Sequence, residues 1–470
     1  MPRILTFLFC LFKFLFSQNA GLDIILKNNE LSSAIIAVSV KDASDSKTIL
    51  EHNSHIQLAP ASTFKLITTI VALEKLGANF QFKTEVYYSG NVENKTLNGN
   101  LIIKGYGDPT FESRFFKSPS LQEICESLKN KDIENISGKI IIDNSYFKPE
   151  INDNWVWEDI NNYYSAIPYP INIYDNEFHI YLQSNEVNSK VQITKIFPQY
   201  NKSPKIEITE NTLISKQGGD NAYIYGDPLN YSKRINGSIP PFQKDYSIEG
   251  ALPDPARMFA QELISTFSKN NISFNQQQFP IITNADTLSY LQYHLLFTLK
   301  SPPLYEIVRL TNLHSINFFA EAMLYALGNG NYENGKKIIL NFLKEKNINT
   351  NEINIDDACG LSRLNGISAD VMTQFLSLIF NSKNKNIFQN SLPISGESGT
   401  MKNFSNSPPL SGNLLCKTGY IQRVRTYAGF LKTKSGKILS VCLMYNNFNT
   451  SNEKIKQISK IFFETLYQNF

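Results

Sequence analysis

Residues 62–77 read STFKLITTIVALEKLG, and this stretch decides how the chain folds around its candidate site. Two strand-like runs, residues 34–40 and 48–52, precede it, and its own apolar run predicts a helix that ends at the final glycine. Ser62 and Lys65 fall on one face at the start of this helix. Backbone N–H groups are unpaired at a helix start, and the helix dipole is positive there. Both features would stabilise an oxyanion formed beside Ser62.

The Ser-x-x-Lys spacing of Ser62 and Lys65 is a weak signal alone, because a surface serine and a solvated lysine one turn apart are common. The same spacing begins at four other serines: Ser44, Ser145, Ser382 and Ser451. Two further strings distinguish Ser62, since Ser315-Ile316-Asn317 and Lys417-Thr418-Gly419 follow it in order. The three strings supply a nucleophile, a base, a second hydroxyl with an amide, and a cation for an anionic substrate. They predict a complete acyl-transfer site.

Lys65 is the predicted base for Ser62, whose hydroxyl is a weak nucleophile at its free pKa. To accept a proton near neutral pH, Lys65 must have a pKa well below its reference value of about 10.4. Partial burial and a second cation, for which Lys417 is the obvious candidate, would each lower the pKa. A Ser-His-Asp catalytic triad is the weaker alternative, because the chain has only five histidines and no Gly-x-Ser-x-Gly elbow.

The second string offers two polar side chains. Ser315 is a candidate to relay a proton to the leaving amine, and Asn317 is a candidate to hold the substrate backbone. A Ser-x-Asn string met alone is more often only a helix cap. Its place between the other two strings favours the catalytic interpretation.

The third string would lie on a strand. Lys417 and Thr418 would present a cation and a hydroxyl to a carboxylate, and Gly419 would let the substrate backbone approach closely. The backbone N–H groups of Ser62 and Tyr420 are the candidates for an oxyanion hole.

The overall composition limits the classes of function. A chain of 470 residues is too long for one compact core, so two or three domains are expected. The net charge of +3, from 45 basic and 42 acidic residues, supplies no basic stripe for nucleic acid. The five cysteines are scattered, and there is no metal-ligand spacing. We therefore expect no metal, no other cofactor and no nucleic acid partner.

Residues 1–20 have the pattern of an export signal. Arg3 supplies a positive start, and residues 4–16 form an apolar run, interrupted by Lys13, that is too short for a comfortable membrane span. The cleavage site is ambiguous, so an uncleaved anchor stays open, and a buried N-terminal helix is the weaker alternative. The pattern predicts export from the cytoplasm.

The middle of the chain has short alternating strands with Asn/Gly turns, whereas the ends combine helices with a sheet. Three strand candidates lie near the C-terminus: residues 413–420, 426–432 and 437–445. They would join the two N-terminal strands in a five-stranded antiparallel sheet, which brings Ser62 and Lys417 together. We predict an α+β catalytic domain of residues 21–82 and 255–470, with residues 83–254 as a β-rich insertion.

The chain resembles the penicillin-binding proteins and class A β-lactamases, whose signature is this trio of strings. Closer matches point to the class C, low-molecular-mass penicillin-binding proteins, the D-alanyl-D-alanine carboxypeptidase/endopeptidases of peptidase family S13. Five strings support the resemblance: Gly105-Tyr106-Gly107-Asp108-Pro109, Leu304-Tyr305-Glu306-Ile307, Ser315-Ile316-Asn317-Phe318-Phe319-Ala320-Glu321, Gly360-Leu361-Ser362-Arg363 and Gly399-Thr400. The resemblance runs from about residue 22 to the C-terminus.

This resemblance implies a penicillin-recognising transpeptidase domain, similar to the β-lactamase fold, with two small β-rich domains inserted between the first and second strings. It implies that Ser62 forms an acyl-enzyme with the penultimate D-alanine carbonyl, that Lys65 is the base, and that Ser315 assists proton transfer. Lys417 would bind the terminal carboxylate of the stem peptide or of penicillin. Water would then resolve the ester.

The substrates implied by the resemblance are peptidoglycan stem peptides ending in D-Ala-D-Ala and D-alanyl to meso-diaminopimelate crosslinks. The implied inhibitors are β-lactams, and the implied location is the periplasm. The sequence leaves open the balance between carboxypeptidase and endopeptidase action, and a homodimer is an assembly that it allows.

Three residues depart from the family pattern: Ala358, Cys359 and Tyr420. The string usually read as Asp-Gly-Ser-Gly-Leu-Ser is here Asp-Ala-Cys-Gly-Leu-Ser at residues 357–362, and Tyr420 stands where a small hydroxyl residue is common. Tyr420 puts the substrate preference in doubt. A β-lactamase and a catalytically inactive peptidoglycan-binding scaffold are the rival interpretations. The first lacks a convincing glutamate for fast deacylation, and the second is disfavoured because every chemical group of the trio is intact.

Overall fold

The structure of the protein is a computed structural model that describes residues 21–199, 204–274, 279–285 and 288–470. The predicted export signal therefore lies outside the described residues. Within them, no helix has the length and apolar character needed to cross a membrane. The chain divides into two units. Of the described residues, the first comprises those up to Asn79, Leu304–Leu327 and Glu333–Phe470, and the second comprises those of Phe80–Pro303 and Gly328–Tyr332.

Strands and helices are numbered in chain order through both units. The strands of the first unit are β1 (Ile35–Asp42), β2 (Thr48–His52), β19 (Ile353–Asn354), β20 (Gly366–Ile367), β21 (Leu414–Ile421), β22 (Val424–Lys432) and β23 (Ile438–Asn446). Its helices are α1 (Lys65–Lys75), α4 (Leu304–His314), α5 (Asn317–Leu327), α6 (Tyr332–Glu345), α7 (Ala369–Phe380), α8 (Lys385–Ser391) and α9 (Asn452–Asn469).

The predicted five-stranded antiparallel sheet is confirmed, with the strand order β2-β1-β23-β22-β21. The two N-terminal strands thus pair with the C-terminal strands through β1 and β23, over the register Ile35 opposite Asn446 to Asp42 opposite Leu439. Strand β23 is buried along almost its whole length. A strand covered on both faces is apolar without alternation. Lys417 lies on β21, and the chain that leaves β2 leads to Ser62. Because both strands belong to one sheet, Lys417 and Ser62 are brought to the same unit.

Helices cover both faces of this sheet. Helix α9 buries Ile455 and Phe462 in the cluster that contains Val441 of β23. On the opposite face, α7 meets the sheet through a hydrogen bond of 2.7 Å between the hydroxyls of Ser39 and Thr373. An amphipathic helix is stabilised when its apolar face is removed from water in this way.

Helix α1 runs through the interior of the first unit. Its residues 65–73 are all buried, and this part of the helix is apolar all round apart from Lys65 and two threonines. A helix that is apolar all round is a core helix. The 3-10 turn of residues 61–64 leads directly into α1, which fixes the predicted nucleophile at the start of a buried helix.

The second unit is β-rich. Its strands are β3 (Lys83–Tyr88), β4 (Asn91–Glu93), β5 (Thr96–Asn98), β6 (Leu101–Gly105), β7 (Asn135–Ile136), β8 (Ile140–Asp143), β9 (Glu177–Gln183), β10 (Gln192–Phe197), β11 (Glu207–Asn211), β12 (Ile214–Ser215), β13 (Asn221–Tyr225), β14 (Ser232–Ile239), β15 (Tyr246–Ala251), β16 (Ser273–Phe274), β17 (Ile281–Thr283) and β18 (His294–Lys300). Its helices are α2 (Leu121–Lys129) and α3 (Pro255–Lys269).

The end of this unit differs from the prediction. We expected the insertion to end at residue 254, but the unit continues to Pro303. Helix α3 packs Phe259 and Leu263 into its core, and strands β17 and β18 pair with β8 and β3. The sequence pattern of α3 predicts a helix but does not indicate which sheet the helix packs against. The predicted end of the insertion at residue 254 therefore lies earlier in the chain than the observed end of the unit. One cluster of buried apolar side chains extends through its sheets, and the division into two domains stays a prediction.

Candidate active site

Ser62 lies in the 3-10 turn of residues 61–64, at the start of α1. The carbonyl oxygen of Pro60 holds this turn, because it accepts hydrogen bonds from the hydroxyls of Thr63 at 2.7 Å and of Thr426 at 2.6 Å. Thr426 belongs to β22, so the turn is fixed to the central sheet. The serine is thus presented from a rigid support.

Lys65 is fully buried, and its Nζ makes two short contacts. It donates to Ser62 Oγ at 2.9 Å and to the carbonyl of Cys359 at 2.7 Å. Burial lowers the pKa of Lys65 below its ordinary value, and the neighbouring Cys359, Asp357 and Glu321 act in the opposite direction. The geometry and the desolvation together suit a lysine that takes a proton from Ser62.

Lys417 on β21 is the second buried lysine of the site. Its Nζ donates to Ser315 Oγ at 2.9 Å and to the carbonyl of Thr418 at 2.7 Å. Burial lowers the pKa of Lys417 well below its ordinary value, and the cations of Lys65 and Arg425 add to this effect. A second cation was predicted to share in lowering the pKa of Lys65. In the structure, burial is the leading cause for both lysines.

Ser315 stands between α4 and α5 with a φ of 62°, which is uncommon for a residue with a side chain. Asn317 begins α5 and is buried. Thr418 Oγ1 donates to Thr400 Oγ1 at 2.9 Å, and Thr400 is exposed. Sequence reasoning gave Thr400 no role, although the family string Gly399-Thr400 was a signal that could have found it.

Gly419 is the point at which β21 passes the turn that carries Ser62. A Cβ at position 419 would lie 2.2 Å from Thr426 Oγ1, 2.5 Å from the carbonyl oxygen of Pro60 and 3.0 Å from Ser62 N. These distances leave no room for a side chain, so only glycine permits this close approach.

The outer edge of β21, on the side away from β22, carries backbone N–H groups close to the contact between Gly419 and the Ser62 turn. The N–H of Cys416 donates to the carbonyl of Pro393 at 3.0 Å, on the side away from β22. Backbone groups alternate between the two edges of an antiparallel strand, so the N–H of Tyr420 points to the same outer edge. The side chain of Tyr420 is about half exposed, at 51%.

All eight predicted site residues lie in the first unit: Ser62, Lys65, Ser315, Asn317, Lys417, Thr418, Gly419 and Tyr420. The structure brings Ser62 into contact with Lys65, and Ser315 into contact with Lys417. Besides Thr400, a second group of the candidate site that could not be predicted from the sequence is the carbonyl of Cys359. A backbone carbonyl has no side-chain signature, and only its place in a family string pointed to this segment.

Known proteins resemble this chain over most of its length. A model of the D-Ala-D-Ala carboxypeptidase 3 (S13) family matches residues 18–466. The D-alanyl-D-alanine carboxypeptidase DacB of Haemophilus influenzae is 24% identical over 438 residues, which cover 90% of this chain and 88% of that protein.

Two crystal structures of penicillin binding protein 4 (dacB) from Haemophilus influenzae have the same fold, which confirms the predicted fold class. One has a TM-score of 0.78 at 23% identity and covers 95% of this chain and 98% of its own. The other, complexed with a novel β-lactam, has a TM-score of 0.73 at 22% identity and covers 95% of this chain and 99% of its own. Because the family match spans nearly the whole chain, this protein belongs to the D-Ala-D-Ala carboxypeptidase 3 (S13) family.

Proposed function

We propose that this serine carboxypeptidase removes the terminal D-alanine from peptidoglycan stem peptides through an acyl-enzyme on Ser62. The observation that carries the proposal is the 2.9 Å contact between Lys65 Nζ and Ser62 Oγ, made by a lysine that is fully buried. A buried amine is favoured in its neutral form, which is the form that accepts a proton. The contact therefore joins a nucleophile to its base.

In the first step, Lys65 takes the hydroxyl proton while Ser62 Oγ attacks the carbonyl carbon of the penultimate D-alanine. The oxyanion of the tetrahedral intermediate would accept hydrogen bonds from the N–H groups of Ser62 and Tyr420. The close approach at Gly419 supports this pairing, because it puts the outer edge of β21 next to Ser62 N.

In the second step, the C–N bond breaks and the amine of the terminal D-alanine leaves with a proton. Ser315 is the proposed relay, since Lys417 Nζ holds its Oγ at 2.9 Å and its backbone conformation fixes its direction. The proton that Lys65 took from Ser62 replaces the one given to the amine. Water then hydrolyses the ester and restores the Ser62 hydroxyl.

The terminal carboxylate of the substrate would lie at the paired hydroxyls of Thr418 and Thr400, near the amine of Lys417, and its negative charge would favour the protonated form of that buried amine. Asn317 would hold the substrate backbone. Tyr420 would line the mouth of the site with its exposed ring, where a small residue would leave a wider opening. The two hydroxyls and the amine of Lys417 would select a peptide that ends in a carboxylate.

The same acyl chemistry applies to a crosslink between stem peptides, so we extend the proposal to DD-endopeptidase activity. It also applies to the strained amide of a β-lactam, and the Haemophilus influenzae penicillin binding protein 4 is complexed with such a compound. We place the action of the enzyme outside the cytoplasm, in the periplasm. A homodimer stays a prediction.

Release of D-alanine from a peptide ending in L-Lys-D-Ala-D-Ala tests the proposal, together with labelling by a fluorescent penicillin. The wild-type protein should release D-alanine and hold the label stably, and Ser62→Ala should do neither. Ser44→Ala is the matched control, because Ser44 is an exposed serine with the same Ser-x-x-Lys spacing. Activity that survives Ser62→Ala would contradict the proposal. Rapid turnover of the penicillin would favour a β-lactamase, and a wild-type protein with neither activity would indicate an inactive scaffold.

A further inference from the structure

A buried loop of residues 357–362 lies against Lys65. The carboxylate of Asp357, which is fully buried, shapes this loop. It accepts hydrogen bonds from the N–H groups of Cys359 at 3.1 Å, Gly360 at 2.6 Å and Ser362 at 2.5 Å. Three backbone donors on one carboxylate hold the chain in a tight turn, as in other turns closed by an Asp side chain.

The loop is anchored to its surroundings by further hydrogen bonds. Asn365 Nδ2 donates to Asp357 at 2.6 Å, and Glu321 of α5 accepts the N–H of Ala358 at 3.0 Å. Thr68 of α1 donates its hydroxyl to the carbonyl of Ala358 at 2.7 Å. The loop is therefore fixed to both helices that carry the first two strings of the site.

The fixed loop touches both members of the nucleophile-base pair. The carbonyl of Cys359 accepts a hydrogen bond from Lys65 Nζ at 2.7 Å. Gly360 has a φ of 83°, and a Cβ there would lie 1.9 Å from the carbonyl oxygen of Ala61 and 3.1 Å from Ser62 N. The loop thus packs directly on the turn that carries Ser62.

We propose that Asp357 and Glu321 are positioning residues of the active site: they hold the loop so that the Cys359 carbonyl fixes Lys65 Nζ beside Ser62 and Gly360 seats the serine turn. This inference rests on the proposed function and deepens it, because it names the groups that hold the base. It also accounts for the Cys359 departure from the family pattern. The contact to Lys65 comes from the backbone carbonyl, so a serine and a cysteine serve equally well.

The two carboxylates also act on Lys65 by charge. The groups that bear on the pKa of Lys65 are Cys359, Asp357 and Glu321, and the second lysine nearby is Lys417. Negative charge favours the protonated amine and so opposes the effect of burial. Removing the charge of Asp357 or Glu321 therefore lowers the pKa of Lys65. The base would then become available at lower pH.

The second-order rate of penicillin acylation as a function of pH measures both effects, and thermal unfolding reports on folding. Asp357→Asn removes the charge and mismatches the loop, because an amide nitrogen cannot accept the backbone N–H bonds. A base displaced by about 1 Å loses on the order of 100-fold in rate. We expect that loss in Asp357→Asn, with the acid limb of the pH profile moved to lower pH.

Two variants separate charge from shape. Glu321→Gln keeps an oxygen for the Ala358 N–H and removes only the charge, so its rate loss should be smaller while its acid limb also moves to lower pH. Asn365→Ala weakens the loop but keeps the charge of Asp357, so its rate should fall while its acid limb stays in place. If Asp357→Asn does not fold, Glu321→Gln and Asn365→Ala still show whether charge and loop shape act separately on Lys65.

A rate loss in the carboxylate variants without movement of the acid limb would reduce Asp357 and Glu321 to a structural role and overturn the inference. Wild-type rates and profiles in all three variants would also overturn it, while leaving the proposed function intact. A wild-type protein that is not acylated at all would overturn the proposed function and the inference with it.

Discussion

Replacing Gly419 by alanine is the perturbation for which the structure gives the sharpest expectation. The new methyl group would lie 2.2 Å from Thr426 Oγ1 and 2.5 Å from the carbonyl oxygen of Pro60, where carbon and oxygen need more than about 3 Å. Both atoms belong to the hydrogen-bonded support of the Ser62 turn, so neither can move alone. Relief requires β21 and the turn to separate by roughly 1 Å.

This separation would move the N–H of Tyr420 away from that of Ser62. A misplacement of about 1 Å costs on the order of 100-fold in rate, so we expect Gly419→Ala to slow penicillin acylation by about that factor. Strain from overpacking should also lower the stability by about 1 to 3 kcal/mol. Stopped-flow labelling with a fluorescent penicillin measures the first effect, and urea unfolding measures the second.

Gly219→Ala is the control, because a Cβ at residue 219 has no heavy atom within 4 Å and the residue is not in a left-handed conformation. It should label at the wild-type rate. If Gly419→Ala also labels at the wild-type rate with unchanged stability, then β21 does not approach the serine turn as closely as described. The Tyr420 N–H would then lose its support as a donor to the oxyanion.

Three further changes have expected outcomes. Lys65→Ala should slow penicillin labelling by about 10²- to 10⁴-fold, the usual contribution of a general base, and an equal labelling rate would exclude Lys65 as the base. Lys417→Ala should raise KM for the peptide more than it lowers kcat in steady-state assays, because the carboxylate loses the buried amine near it; an unchanged KM would argue against that contact. Burial lowers the pKa of Lys233 to about 8 in the folded protein. Between that pH and the ordinary lysine pKa of about 10.4, the unfolded chain binds more protons than the folded one, so the free energy of unfolding should rise with pH. Measured by urea unfolding, this rise amounts to roughly 3 kcal/mol and should be absent from Lys233→Met; the same rise in both proteins would refute its assignment to this lysine.

The elements that could be predicted from sequence are those with a local signal. The strands of the central sheet are five to nine residues long and rich in apolar residues, and their predicted ends lie within about two residues of the observed ones. The start of α9 also has a local signal, because serine is a preferred residue before a helix; in the structure Ser451 Oγ accepts the N–H of Lys454 at 3.3 Å. The site followed from the order of three strings, because the sheet must close to bring them together.

The features that could not be predicted depend on contacts between distant segments. Strand β17 pairs in parallel with β8, whose residues lie about 140 positions earlier, and this pairing carries α3 into the second unit. Nothing in the pattern of α3 indicates its partner. In the same way, the second acceptor of Lys65 Nζ is the carbonyl of Cys359, which any residue type could supply. Side-chain spacing points to Lys65 as the proposed base, but only the fold identifies the carbonyl that contacts it.

Ser62 as the acylated residue is the central claim, and mass spectrometry of peptides from the penicillin-treated protein tests it most directly. We expect one penicilloyl group per chain, attached to the peptide that contains Ser62, and no adduct on that peptide in Ser62→Ala. An adduct on Ser315 or on any of the other serines followed by lysine at the same spacing would contradict the account.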